Sequence, residues 1–577
     1  MAEITAPEYI SPYVVTVSGG LVLDRDVYTM PVGAATILQN FEPSVKGGYR
    51  RLSGTAKYDA NLLGGATDTV LGVAIFRDKV IAASSTIVQE SSGSGWSSID
   101  TGRTSAGRYR FEEYNFTTNE NRLIFADGAN FASFYNGTTV VDIKGSTTIS
   151  ATGSASSSST SLSVTSAAGI AEGMYIGGTN IGSGAKVSSI SGTTITMSVA
   201  TTGTISSASV TFAGLGTAPT NPSMVAAFKN HMFYAGMSAE PNTLIFSAIG
   251  DENDFTSGNG AGSLNVDSTI VAIKSFRESL MIFCEDRIYK LTGNALADFA
   301  IEPVSRNVGC SDAFSVQEIG GDILFLAPDG LRTVAGTARI GDVELGTVSK
   351  QIQDRINDIG FDNVSSVVIR GKSQYRLFYP TTGGLETSAK GLIGVLKSNP
   401  QGQLGWEYSD IRGLKPSCCV SGFVSGVETI IHGGYDGYVY KQESGNTFAG
   451  TAMTALYRSP DLTMGDAGIR KNMQRINVNY DPEGAVNVSL FVKYDFEDAA
   501  TPQPAAYTLT TADTAAVYGN SGSLYGSAVY GAEGMPIVRQ SVEGSGFTVV
   551  IRLTDTSSNP PITLKGFELE FTPGARM

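Results

Sequence analysis

The chain is poor in the residues that do chemistry. Its 577 residues include two histidines, four cysteines and two tryptophans, and only 16% of positions are charged. His231 and His432 both sit in or beside apolar strand patterns, which leaves little material for acid–base work or zinc ligation. There is no serine nucleophile elbow, glycine-rich phosphate loop or His-x-x-His pair, so hydrolase, nucleotide and zinc chemistry lack an anchor. Cys284, Cys310, Cys418 and Cys419 have no metal-site or disulfide spacing and read as buried thiols in a reducing cytoplasm. No apolar run approaches the ~20 residues that span a bilayer. The start, Met1-Ala2-Glu3-Ile4, lacks the basic and apolar regions of a signal peptide. A formal net charge of −14 argues against a basic nucleic-acid-binding surface. These absences point to a soluble protein that is not an enzyme and needs neither cofactor nor metal.

Helical periodicity is scarce too, clear only where Val348, Ile352, Ile356 and Ile359 share a face. What is abundant is glycine, 68 residues, roughly twice the usual share. Much of it punctuates a recurring phrase: apolar strand, turn on Asp-Gly or a close substitute, second strand. It reads Leu123-Ile124-Phe125-Ala126-Asp127-Gly128, then Met281-Ile282-Phe283-Cys284-Glu285-Asp286, then Leu324-Phe325-Leu326-Ala327-Pro328-Asp329-Gly330. It returns as Ile430-Ile431-His432-Gly433-Gly434-Tyr435-Asp436-Gly437, with weaker copies at Ser84-Ser85, Pro241-Asn242 and Gly383-Gly384. Asp-Gly between apolar runs signals a tight two-residue hairpin turn, because that turn needs positive φ. From Ser84 to Asp127, Asn242 to Asp286 and Asp286 to Asp329 the spacing is 43 or 44 residues. Seven hairpins at this period predict an all-β fold containing a β-propeller of about seven blades.

Three intervals break the pitch. The last two, 54 and 53 residues, predict extra loops at 386–390 and 397–403. The gap from Asp127 to Asn242 is 115 residues, and Glu172 and Lys186 are the sole charges between Ser146 and Thr220. Alternation in Ser161-Leu162-Ser163-Val164 and Thr194-Ile195-Thr196-Met197 predicts a small inserted β-domain, with Ala151–Ser159 as a floppy stretch. After Lys441 the repeat stops and longer strands predict a C-terminal β-sandwich, with Tyr518–Tyr530 as a surface loop. The resulting plan has an N-terminal segment, 1–66, packing on the C-terminal domain. The propeller runs over 67–145 and 217–445, the inserted domain over 146–216 and the sandwich over 446–577.

Weaker site candidates each have a plainer explanation. Ser91-Ser92-Gly93-Ser94-Gly95-Trp96 keeps the glycine and tryptophan of sialidase-type blade turns but has serine where their aspartate stands. Trp96 and Trp406 read as blade packing, and no pair of carboxylates can be placed at glycosidase separation. Asp24-Arg25-Asp26 and Asp251-Glu252-Asn253-Asp254 lack a calcium-loop pattern and read as solvated turns.

One segment is more specific. Pro31, then Leu38-Gln39-Asn40-Phe41-Glu42-Pro43, then Gly47-Gly48-Tyr49-Arg50-Arg51 form the order Pro…Leu-x-Asn-Phe-x-Pro…Gly-Gly-Tyr-Arg-Arg. Here Asn40, Gly47 and Gly48 suit sharp turns, Phe41 and Tyr49 are anchors, and Arg50 and Arg51 can hold acidic neighbours. This order resembles the opening of the tail nozzle (tail tubular protein B) family of short-tailed double-stranded DNA phages. Further similarity lies in Asn230-His231-Met232-Phe233-Tyr234, Asn307-Val308-Gly309-Cys310-Ser311 and Ile562-Thr563-Leu564-Lys565-Gly566-Phe567. The resemblance covers most of the chain outside the inserted domain. It implies a virion tail protein, assembled in the host cytoplasm as a homohexameric ring below an adaptor ring. Tail fibres or spikes and the host surface are further implied partners, and genomic DNA passes through the lumen without specific binding. An acidic lumen would repel phosphates, which fits the net charge. The alternative is a glycan-binding or glycan-degrading propeller at the host surface. A cellular propeller scaffold lacks the Gly-His…Trp-Asp blade signature.

Overall fold

The computed structural model describes residues 11–26, 28–105, 107–116, 121–335, 347–359, 363–379, 390–398, 404–511 and 537–576. Contacts divide the chain into two units: Leu63–Val316 with Thr337–Val343, and Met1–Leu62 with Gln317–Gly336 and Glu344–Met577. The seams of the sequence plan differ from these, because residues far apart in sequence share sheets.

The first unit carries four antiparallel four-stranded blades. They begin with the strands Val70–Phe76, Arg110–Tyr114, Met224–Phe228 and Ile270–Phe276, which lie side by side in that order. The second strand of each blade explains the recurring phrase. Lys79–Ser84, Arg122–Ala126, His231–Ala235 and Ser279–Cys284 are buried along nearly their whole length. A strand flanked on both edges and covered on both faces has no solvent side, so its sequence is a continuous apolar run and not an alternation. The outermost strands, such as Ser97–Thr101 and Ala300–Ser305, are partly or fully exposed along their whole length.

The second unit carries three more blades of this type. One has three strands, Gln317–Ile319, Asp322–Ala327 and Gly330–Thr333. The next is Ser365–Ile369, Gln374–Tyr379, Lys390–Ser398 and Leu404–Arg412. The last, Cys418–Val424, Val427–Gly433 and Val439–Gln442, takes its fourth strand, Thr55–Lys57, from the N-terminal segment. Every turn marker of the sequence falls between the second and third strands of its blade, Gly383-Gly384 lying outside the described residues. The long pitch before the sixth marker reflects a helical connection, Lys350–Ile352 and Gln353–Asn357, which buries Ile352 and Ile356. The nine-residue strands Lys390–Ser398 and Leu404–Arg412 lengthen the next interval. Most of 386–390 and 397–403 lies outside the described residues.

The turns themselves depart from expectation. Among the markers, described strands meet across two residues at Ser85-Thr86, with Ser84 opposite Ile87, and at Pro328-Asp329, with Ala327 opposite Gly330. At two others the aspartate acts through its side chain: Asp127 Oδ1 accepts from Ala129 N at 3.0 Å and Asn130 N at 2.8 Å, and Asp436 Oδ1 from Tyr438 N at 3.3 Å. These are Asx turns, in which a carboxylate replaces a missing backbone partner.

The inserted domain is a six-stranded sheet in the order Ile176–Gly177, Ile205–Phe212, Ile149–Ala155, Ser161–Val164, Thr194–Met197, Val187–Ser191. Leu162, Met174, Ile195 and Phe212 form its core, and Gly145–Ser146 paired with Gly216–Thr217 forms its stem. Ala151–Ser159 is ordered, contrary to the floppy reading. Its first half is strand, and Ser158 N and Ser159 N bond Thr201 O and Oγ1, each at 3.1 Å.

The C-terminal β-sandwich has Ile469–Pro482 and Ile562–Arg576 in one sheet and Val486–Tyr494 and Val549–Asp555 in the other. Ile476, Val478, Leu490, Ile551 and Phe567 belong to its shared core. Ser11–Thr16 pairs antiparallel with Ile562–Arg576. The second sheet does not end at the sandwich. Ile37–Gln39 pairs with Ala455–Arg458 on one side and, through Gln39 opposite Asp410, with Leu404–Arg412 on the other. Sandwich and blade thus share a nine-stranded sheet. The loop Tyr518–Tyr530 lies outside the described residues.

Candidate functional site

The motif residues converge inside the second unit. Asn40 has φ 53°, which asparagine tolerates better than most residues. Its side chain extends the sheet on both sides: Oδ1 accepts from Arg412 N at 2.9 Å, while Nδ2 donates to Arg412 O at 3.1 Å and Thr454 O at 2.9 Å. Phe41 and Pro43 are buried, and Gly47 and Gly48 form the turn before Tyr49–Arg51. At Gly48, φ is +82°, and a Cβ would lie 2.3 Å from Leu564 O, so a side chain there is excluded twice over. Tyr49 Oη accepts from Gly20 N and donates to Gly33 O, each at 3.0 Å.

The two arginines have different surroundings. Arg50 forks onto Glu483 and reaches Glu42 at 3.2 Å. Arg51 is fully buried and caps three carbonyls, Ser557 O at 2.6 Å, Asn559 O at 2.7 Å and Asn446 O at 3.2 Å, with Asp555 at 3.3 Å. Glu42, 2% exposed, is the hub of a charge cluster: Lys372 Nζ lies at 2.7 Å, Gln374 Nε2 at 3.0 Å and Arg376 Nη2 at 3.3 Å. Glu443 completes it. Against the cost of burial, Arg376 and Lys372 hold its carboxyl down at about 2. The cluster fastens the N-terminal segment to two blades through internal bonds.

The residues weighed as catalysts or ligands are also internal. His231 Nδ1 lies 2.6 Å from Ser247 O, with its ring edge-on to Phe246 and Phe299. His432 stacks on Tyr440 at 5.1 Å, and burial pushes its pKa down to about 3. The four cysteines are thiols, and burial raises Cys284 and Cys310 to about 12, far from thiolate reactivity. Trp406 stacks on Tyr408, and Trp96 is half-buried. No group of three His, Cys, Asp or Glu among the described residues could hold a metal ion. Asp24–Asp26 is an exposed turn, but Asp251–Asp254 is not solvated as its composition suggested. Glu252, Asn253 and Asp254 are buried; Glu252 pairs with Arg122, and Asn253 Oδ1 accepts from Gly145 N at 3.1 Å.

His432 gives a pH expectation with a definite sign. It stays neutral in the fold down to about pH 3, whereas the unfolded chain takes up the proton near 6.5. Its contribution is therefore complete above pH 6.5 and is lost as pH falls toward 3, at up to about 1.4 kcal/mol per pH unit. Urea titrations between pH 7 and 4 should show that slope, and a His432→Gln variant should show it reduced.

A second feature, away from the motif residues, lies in the first unit. A cavity of 360 Å³ opens between the inserted domain and two blades, lined among others by Tyr114, Phe116, Arg122, Glu172, Lys186 and Asp251. Lys186 reaches Asp251 at 3.3 Å and lies 4.4 Å over the Tyr175 ring. Burial raises the carboxyls of Glu172 and Glu252, with Arg122 opposing both. One signal was available in sequence: the inserted segment's two charges, Glu172 and Lys186, both line this cavity.

The class defined by these elements is an all-β chain with seven propeller-type blades among the described residues, an inserted β-domain and a C-terminal sandwich. No protein-family model and no curated protein matches it. Among solved structures it is similar to the computationally designed Ika8 protein, at 12% identity and TM-score 0.32, covering 67% of this chain and 99% of that one. It is also similar to Sqt1 of Saccharomyces cerevisiae, at 10% identity and TM-score 0.33, covering 67% and 98%. An exo-beta-1,3-galactanase from Phanerochaete chrysosporium aligns at 11% identity and TM-score 0.24, covering 90% and 100%.

Proposed function

We propose that the chain is a structural tail nozzle protein of a short-tailed bacteriophage, a ring subunit that conducts genomic DNA into the host. The observation that carries this reading is the ordered motif Asn40-Phe41-x-Pro43…Gly47-Gly48-Tyr49-Arg50-Arg51, with its similarities later in the chain. Its supporting chemistry is architectural. The motif's side chains hold a frame, the histidines are enclosed, and Cys284 and Cys310 are unreactive thiols. The charge of −14 suits a conduit that repels its cargo.

Electron microscopy of the purified protein, alone and mixed with the adaptor protein of the same phage, tests the reading. Six-fold rings that extend the adaptor are expected. A monomer that ignores the adaptor and releases sugar fragments from host capsule would replace it with the glycan-degrading alternative.

A further inference from the structure

We propose that the cavity between the inserted domain and the second and third blades binds a saccharide unit: an uncharged, hydroxyl-rich ligand held without being cleaved. The inference holds whether or not the chain belongs to a tail.

The first argument is placement. The segment from Ser146 to Thr220 is almost free of charge, yet Glu172 and Lys186 both face one cavity and not the domain's large solvent surface. Solubility alone would scatter two charges, and burial against a blade is a costly place for them.

The second argument is pairing. Arg122 bonds Glu252, and Lys186 bonds Asp251, which matches both cations. Glu172 is left over: among the described residues it makes no hydrogen bond or ion pair, although it is half-buried at the cavity wall. With Arg122 acting on it by charge alone, its half-exposed oxygens are open to a donor supplied by a ligand.

The third argument decides the ligand's class. Carboxylates outnumber cations three to two, which opposes an anion, and the paired Arg122 and Lys186 leave the wall offering both N–H donors and carboxylate acceptors. A neutral molecule whose groups both donate and accept meets both sets at once, which describes a sugar hydroxyl. Tyr114 and Phe116, with ring centroids 4.7 Å apart, supply apolar surface for the C–H face of a pyranose. The volume of 360 Å³ lies at the small end of ligand pockets, enough for one or two sugar rings.

The test uses the full chain and saturation-transfer NMR with glucose, galactose, mannose and N-acetylglucosamine, alongside choline and inorganic phosphate. Millimolar binding of at least one sugar is expected, with no transfer to choline or phosphate. Glu172→Gln and Phe116→Ala, both at half-buried positions, should each weaken that binding by about tenfold. Circular dichroism of the two variants should match the parent. No transfer to any sugar, transfer to choline or phosphate in place of sugar, or sugar binding untouched by both variants would each overturn the proposal. Six-fold rings without sugar binding would leave the nozzle reading standing and remove this one; sugar binding by a monomer would do the reverse.

Discussion

Arg51→Ala should destabilise the second unit by about 3–5 kcal/mol, the range for removing one partner of a buried ion pair. Arg51 has no exposed surface, so its deletion leaves Asp555 charged in a dry site and strands the carbonyls of Ser557, Asn559 and Asn446. Those acceptors come from two loops far apart in sequence, and one guanidinium reaches all three because its donors fan out in a plane. Arg51→Lys should rescue little, since an ammonium cannot span that set. Arg50→Ala is the internal control. Its closest carboxylate, Glu483, is 44% exposed, and buried Glu42 keeps Lys372 and Arg376 without it, so the loss should stay near 1 kcal/mol. Urea denaturation followed by far-UV circular dichroism separates the three. Equal losses for Arg50→Ala and Arg51→Ala would show that burial does not set the scale.

Glu42→Ala should cost a similar amount, about 3–5 kcal/mol, for the opposite reason. It removes the anion and leaves Lys372 and Arg376 sharing Glu443, with Arg376 only 3% exposed. Glu42→Gln should fall between parent and Ala, because it can still bond its neighbours but no longer offsets their charge. Added salt should rescue neither, since a buried cluster is poorly screened. In a double-mutant cycle, Arg376→Ala should recover part of the Glu42→Ala loss, giving a coupling of about 1–3 kcal/mol. Strict additivity would mean that the two side chains touch without interacting.

The charge cluster was half legible before the structure. Arg50 and Arg51 were expected to hold acidic neighbours, but nothing local names Glu42, Glu483 or Asp555 as the acids. The error over Asp251–Asp254 has the same origin. Four polar residues in a row read as a solvated turn, whereas Arg122, supplied by another blade, offsets the burial of Glu252.

The sequence by itself determined what depends on near neighbours. The strand period, the turn positions and the inserted domain all follow from short-range rules of side-chain alternation and backbone conformation. Even the continuous apolar runs were informative, because a strand covered on both faces has no polar side to reveal. Tertiary structure alone decided which free edge meets which. Thr55–Lys57 completes a blade whose other strands start at Cys418, and Gln39 opposite Asp410 fuses that blade's neighbour to the sandwich. A three-residue strand carries too little pattern to specify its partner, and an open edge accepts any strand that fits, so the choice belongs to the packed whole.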